Sequence, residues 1–401
     1  MKRIGLIIER HWHYGRRICE GIAAFSREHG GFSLEFPAQN NRGVIGNLKE
    51  YDGIIARVWG QELSAQLLRS GRPVVDVYGG EPNPAFTLVD QNARLIGQLA
   101  ARHFIEHRFP RFAFCGYACQ RYSVLRRTAF VRALELSHFQ CDIFEDTDFS
   151  AEEFGRKILG HGDFDFGINR NKLAKWLKRL EKPVAVFCAH DLVALNVVKV
   201  CEAVGLRVPQ DVAILGVDDD PLLCDFTNPT ISSIDPNPQG IGYAAASALA
   251  AWIEHPENKP KDSHPAPLGL TERASTQIYP FPEPWLSDAL VFIRRNITRN
   301  INSGDVFAFL GLSHTTVERA FKRRLGSTVR QEIAKVRIDE AKRLLAKTSI
   351  PLSEVASRSG FSSSAYFTAA FNAATRRTPL KWRSSFSPPT SACGILKSLR
   401  R

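Results

Sequence analysis

Residues 190–219 read HDLVALNVVKVCEAVGLRVPQDVAILGVDD. A helix-forming run follows Asp191, a turn holding Gly205 and Pro209 ends it, and the apolar run 212–217 leads straight into Asp218 and Asp219. An unbroken apolar run of strand length beside a helix predicts a strand buried on both faces of a parallel sheet. Just upstream, PVAVFCA (183–189) has the same character. Asp191 and Asp218 therefore each follow the carboxyl end of a buried strand, where open α/β sheets bind their ligands. A carboxylate there can accept two hydroxyl hydrogen bonds, which suits a polyol. The competing reading is a helix N-cap or a turn residue, and Asp191 is expected to cap its helix as well.

The pattern extends toward the N-terminus. IGLII (4–8), DGIIARV (52–58), RPVVDVYGG (72–80) and RFAFCGY (111–117) read as further buried strands. RICEGIAAFSRE (17–28) carries Ile18, Ile22 and Phe25 at helical spacing, and SAQLLRSG is helical too. Strands alternating with amphipathic helices over the first 280 residues predict two α/β lobes. ERHWHYGR (9–16) follows the first strand, so it lies at the rim of the expected cleft. Trp12 and Tyr14 offer flat apolar faces to the C–H side of a sugar, and Arg16 offers edge donors. His11 and His13 could ligate a metal, but no third ligand stands at suitable spacing, and no metal or cofactor is expected. A rim loop with incidental aromatics is the alternative.

Asp191, Gly205, Val208–Pro209, Asp211–Val212–Ala213, Gly216 and Asp218–Asp219, together with PTISSI (229–234) and the upstream segments YDGIIA, LVDQNARLIG and HFIEHRFPRFAFCG, resemble the sugar-sensing domain of the LacI/GalR repressors. The resemblance covers about residues 3–275 and implies the periplasmic sugar-binding fold. It places Arg126, in LRRTAF, where these repressors carry an arginine that donates to sugar oxygens. His190 departs from the asparagine common before the aspartate. Those repressors carry a DNA-binding headpiece before the first sensor strand. Here that strand begins by Ile4, so a DNA reader is expected elsewhere in the chain.

Charge points to where. Residues 285–401 hold 21 Lys and Arg against 7 Asp and Glu, while the rest holds 32 against 34. A near-neutral large region joined to a basic small one suggests a sensor or enzyme joined to a polyanion binder. EHPENKPKDSHPAP and YPFPEP within 254–284 read as loops, the second as a domain linker, and the pattern from Trp285 is helical. DVFAFLGLSHTTVERAFKRR (305–324) reads as a helix-turn-helix. Its turn is Gly311-Leu312-Ser313, Ser313 caps the second helix, and Val317, Ala320 and Phe321 form its core face. A second copy, LSEVASRSGFSSSAYFTAAFNAA (352–374), turns at Gly360-Phe361-Ser362, with Tyr366, Phe367, Ala370 and Phe371 expected in its core. VRQEIAKVRIDEAKRLLAKT (329–348) makes one long helix between them.

ERAFKRRLG, RIDEAKRLLAKTSIPLSEVASRSGFSS, YFTAAF and TPLKWR resemble the AraC/XylS family of transcription regulators over about residues 287–383. Expected groove-facing residues are His314, Thr315, Glu318, Arg319 and Lys322 in the first unit, and Ser363, Ser364 and Thr368 in the second. Arg376, Arg377, Lys381 and Arg383 read as phosphate contacts. Arg376 replaces the glycine usual after the second recognition helix.

The chain has 401 residues, 44% hydrophobic and 23% charged, an ordinary globular balance. No apolar run reaches membrane-spanning length, and the N-terminal apolar patch is too short for a signal peptide, so a cytoplasmic protein is expected. The eight cysteines are scattered without a CxxC and read as buried thiols. There is no P-loop, no GxGxxG after the first strand and no nucleophile elbow, which argues against an enzyme. The expected protein is an α/β two-lobed periplasmic-binding-protein-like sensor over 1–275, a linker over 276–286, an all-α domain with two helix-turn-helix units over 287–384, and a disordered basic tail over 385–401. Its architecture resembles the xylose-responsive activators. That resemblance implies a homodimeric, sugar-responsive regulator that binds operator DNA and works with RNA polymerase, its effector a pentose such as xylose. The rivals are a DNA-binding protein with a vestigial sensor and a small-molecule enzyme fused to a DNA-binding module.

Overall fold

The computed structural model describes residues 1–38, 45–80, 82–148, 168–281 and 283–385. The basic tail expected from residue 385 lies, from 386 onward, outside the described residues.

The first lobe is a parallel sheet in the order β2-β1-β3-β4-β5, built from β1 (Lys2–Ile7), β2 (Phe32–Glu35), β3 (Gly53–Ala56), β4 (Val74–Asp76) and β5 (Thr87–Leu88). Helices α1 (His13–His29) and α2 (Gln61–Ser70) connect its strands. After α3 (Ala93–Glu106) the second lobe adds β6 (Phe112–Tyr117), α4 (Arg121–Glu135), β7 (Cys141–Asp146), α5 (Arg170–Arg179), β8 (Val184–Cys188), α6 (Asp191–Ala203), β9 (Val212–Val217), α7 (Pro221–Cys224) and β10 (Ser232–Asp235). The chain then returns to the first lobe as α8 (Pro238–Glu254), which packs on α1 through Ile241, Ala245 and Leu249. It closes with β11 (Gly269–Thr271), antiparallel to β10. The second sheet runs β11-β10-β9-β8-β6-β7, so read from β7 it repeats the order of the first and adds one edge strand.

Every strand from β6 to β10 except β7 is buried along its whole length. Helices on both faces demand this, and it is why these strands show as unbroken apolar runs. The segment 255–268, expected as a loop, is stitched across the first lobe. The Leu88 amide donates to Asp262, the Ser263 amide to the Leu88 carbonyl, and the Thr87 hydroxyl to the Pro260 carbonyl.

Seven helices complete the described chain: α9 (Pro284–Asn296), α10 (Ser303–Leu310), α11 (His314–Leu325), α12 (Val329–Lys347), α13 (Leu352–Arg358), α14 (Ser364–Thr375) and α15 (Pro379–Ser384). Two cores share α12. Its Val329, Ile333 and Val336 join Leu286, Ile293, Val306, Val317 and Phe321. Its Ile338, Ala341, Leu344 and Leu345 join Val355, Phe361, Phe367 and Phe371.

The segment expected as a linker is packed. Tyr279 is 5% exposed within the first of these cores, and its ring stacks on His107 of the second lobe at 4.4 Å. Arg294 of α9 donates to the Tyr279 hydroxyl and to Glu272, each at 2.6 Å. His103, His107 and Glu272 approach one another here; His103 meets the Thr276 hydroxyl, His107 the His103 carbonyl and Glu272 Oε1 at 3.3 Å, and Arg294 supplies a cation to Glu272.

Candidate functional site

Between the lobes lies a cavity of about 100 Å³. First-lobe residues Trp12, His13, Tyr14, Arg57 and Tyr78 form one wall. Second-lobe residues Tyr122, Arg126, His190, Leu192, Asp218, Asp220 and Leu223 form the other, with Gln91 at the crossing. The walls meet where the Tyr78 hydroxyl donates to Gln120 at 2.6 Å.

Each wall follows from a strand end. After β4, the Asp76 carboxylate accepts from the amides of Val58, Tyr78 and Gly79 at 2.9–3.1 Å, which fixes the loops carrying Arg57 and Tyr78. Burial pushes this carboxyl up to about 6. Arg57 pairs with Glu9 and lies over the Tyr78 ring at 4.5 Å. Arg126, 2% exposed, is held by Gln91 and the Ala189 carbonyl, with Asp218 3.7 Å away. After β9, burial raises the Asp218 carboxyl to about 6 against the pull of Arg126 and Arg57. Burial also lowers His190 to about 3, so its ring is neutral near pH 7.

Of the sequence-selected residues, the fold brings Trp12, Tyr14, Arg126, His190 and Asp218 to this cavity. Arg16 does not reach it. Helix α1 starts at His13, four residues earlier than the periodicity suggested, so Arg16 turns outward and donates to the carbonyls of Arg10 and His11. Asp191 lies behind the wall, 1% exposed, accepting from the Ser233 hydroxyl at 2.6 Å and the Asp220 amide at 2.9 Å. It does not line the cavity, and it holds the Asp220 amide in place. Nor does it cap α6, because His190 Nδ1 accepts the Leu192 amide there. Sequence reasoning considered His13 only as a metal ligand and missed Arg57, Tyr78, Gln91, Tyr122, Leu192, Asp220 and Leu223. Arg57, Tyr78 and Asp220 each stand just past a buried apolar run, so the strand-end rule could have found them.

In the reader, Gly311 and Gly360 turn the two units in the left-handed region, at φ 62° and 76°. Ser313 and Ser363 cap α11 and α14 through the amides of Thr316 and Tyr366. His314, Thr315, Arg319 and Lys322 are exposed along α11, whereas Glu318 is half-buried, with one carboxylate oxygen shielded and without a hydrogen bond. Ser363 and Ser364 are exposed on α14, while the Thr368 hydroxyl donates to the Ser364 carbonyl. Arg376, Arg377 and Lys381 are exposed beyond it. Arg383 is half-buried, donating to the Ile350 carbonyl. Tyr366, expected in the core, is 49% exposed; Phe367 and Phe371 fill the helix's inner face, with Ala370 partly buried against the same core.

Two domain families match the chain: a periplasmic binding protein-like domain over residues 101–276 and a helix-turn-helix domain over 307–385. The xylose operon regulatory protein of Escherichia coli (strain K12) is 24% identical over 390 residues, covering 95% of this chain and 96% of that protein. Its namesake from Haemophilus influenzae (strain ATCC 51907 / DSM 11121 / KW20 / Rd) is 26% identical over 395 residues, covering 95% and 98%. The chain is a transcription regulator that joins a periplasmic binding protein-like sensor to a helix-turn-helix domain. The regulator's fold also matches the structure of the xylose-binding transcription activator xylR, with a TM-score of 0.58 and 23% identity over 96% of this chain and 99% of that one. A ribose-bound LacI family regulator from Enterococcus faecalis V583 matches at a TM-score of 0.52 and 18% identity, covering 68% and 98%. Among the described residues, no helix of the regulator is long and apolar enough to cross a membrane.

Proposed function

We propose that the cavity binds a pentose, D-xylose the first candidate, and that its occupancy controls operator binding by the helical domain. The carrying observation is the composition of the cavity wall. Asp218 and Asp220 stand against Arg57 and Arg126, with Glu9 behind, so the charges are nearly balanced. Such a wall favours a neutral ligand rich in hydroxyls over an anion. Trp12, Tyr14, Tyr78 and Tyr122 add the flat apolar faces that sugars stack on. The cavity has the size for one small ligand rather than a polymer. The relatives named for xylose support the same choice. In this reading Trp12, Tyr14, Arg126, His190 and Asp218 contact the sugar, and Asp191 acts through Asp220.

The sensor spans about 1–275 and the reader 287–384. The regulator works in the cytoplasm as a homodimer on repeated half-sites and contacts RNA polymerase. Calorimetry with D-xylose tests the pocket. Asp218→Ala removes hydrogen bonds to a charged group worth about 1.5–3 kcal/mol each, so affinity falls tenfold or more. Asp218 titrates near 6, and below that pH its proton turns an acceptor into a donor. Affinity of the unaltered protein therefore falls between pH 7.5 and pH 5. An unchanged dissociation constant for Asp218→Ala moves the sugar site off the strand ends.

A further inference from the structure

The triplet Asp218-Asp219-Asp220 faces two ways. Asp218 and Asp220 line the cavity, and Asp219 between them points to the reader. Its carboxylate accepts from Lys347 Nζ at 2.5 Å, from the Thr271 hydroxyl at 2.9 Å and from Arg273 at 2.8 Å. Lys347 also donates to Thr271 Oγ1 at 2.9 Å, and both charged partners are nearly buried, at 13% and 12% side-chain exposure. Lys347 is the last residue of α12, the helix that belongs to both reader cores.

Three further facts converge on this contact. Asp218 and Asp219 hold φ values of 117° and 49°, two successive non-glycine residues in the left-handed half of backbone space. Strain of that kind persists only where the surroundings enforce it, and it clusters at ligand clamps and switches. Asp235 Oδ2, at the end of β10, lies 3.6 Å from Lys347 and 3.0 Å from Arg17. Arg17 sits on α1, one turn beyond the His13 and Tyr14 that line the cavity. Lys347 thus touches a carboxylate tied to each wall of the pocket.

We infer that the Asp219–Lys347 pair couples the cavity to the two readers. Ligand hydroxyls that engage Asp218 and Asp220 fix the backbone of the triplet, and so set where Asp219 holds the end of α12. The inference rests on the cavity being the effector site. Coupling between two binding sites is reciprocal, so it can be read from either ligand.

The test uses the full chain, D-xylose, and a duplex obtained by binding-site selection with this protein. Sugar affinity is measured with and without the duplex. The unaltered chain is expected to show a ratio of about fivefold or more between the two. Lys347→Met keeps the side chain's length and removes its charge. It is expected to bring the ratio within about twofold of unity while sugar and DNA each still bind. Asp219→Asn should do the same from the other side of the contact, so one poorly folded variant does not decide the matter. Lys335→Met, which breaks the junction pair with Glu106 at 3.7 Å, should leave the ratio unchanged. A wild-type ratio in folded Lys347→Met and Asp219→Asn overturns the coupling role. An unaltered chain that binds none of D-xylose, L-arabinose and D-ribose removes the effector reading itself, and the coupling with it.

Discussion

The first and second helix-turn-helix units share α12, close on paired aromatic or aliphatic residues one helical turn apart, and cap their recognition helices with serine. Yet α11 carries His314, Arg319, Lys322 and Arg323 on its exposed side, whereas the exposed residues of α14 are Ser364, Ala365, Tyr366, Ala369, Ala373 and Ala374. Val317 and Phe321 build the first core as Phe367 and Phe371 build the second, so the difference lies wholly in residues that packing does not constrain. One architecture therefore presents two kinds of exposed surface. The first unit can read base edges, and the second, flanked by Arg376, Arg377 and Lys381, is suited to hold the backbone.

The sharpest way to break this comparison is to blunt both readers. Arg319→Ala is expected to cost roughly 1–3 kcal/mol at one base pair, about 5- to 150-fold, because a guanidinium can bond guanine bidentately. Ser364→Ala is expected to change affinity less than about twofold, since a lone hydroxyl discriminates weakly. Binding-site selection on the two variants decides it. An equal loss of preference in both would abolish the division of labour. Next in size, Lys381→Ala should weaken binding evenly across sequences and reduce the salt slope by about one, as expected for a lost phosphate contact.

This contrast was legible in the sequence because each helix announces its core by spacing and its reader by charge. The lobes were legible for a similar reason: strands buried on both faces leave unbroken apolar runs. The cavity was only half legible. Asp218 and Arg126 stood out, but Arg57, Tyr78, Gln91 and Tyr122 come from four separate segments whose convergence depends on sheet order. Arg16 and Asp191 do not line the cavity, for local reasons. An early helix start swung one outward, and a buried Ser233 hydroxyl claimed the other. Tyr366 stays half exposed, while Phe367 and Phe371 fill the inner face of its helix with Ala370 partly buried beside them.

A smaller test asks whether the two units are as alike in folding as they are unlike in reading. Ser313→Ala and Ser363→Ala each remove a cap, and each is expected to cost about 1 kcal/mol of stability. Thermal unfolding of the two variants should give matching losses. A clear loss in only one would mean that one recognition helix is held by its tertiary contacts alone.

The smallest effect lies where the helices end. Helix α11 stops at Gly326, with φ 73°, its amide donating to the Lys322 carbonyl at 3.0 Å. Helix α14 stops in the same left-handed geometry at Arg376, with φ 55°, its amide donating to the Asn372 carbonyl at 2.8 Å. The glycine absent from the second unit therefore did not change the exit path. A residue with a Cβ costs about 1–2 kcal/mol in that conformation. Glycine returns part of the gain, about 0.4–1 kcal/mol, through its freer unfolded chain. Arg376→Gly should thus stabilise the folded protein by roughly 0.5 kcal/mol, a small upward shift in melting temperature. The same substitution deletes an exposed cation beside the second recognition helix, so DNA affinity should fall at low salt and the difference should shrink as salt rises. Arg376→Lys keeps the charge and the strained backbone, and should move neither property. Stability and affinity moving in opposite directions in the glycine variant alone would mean that the arginine is kept for its phosphate contact, at the expense of a better helix end.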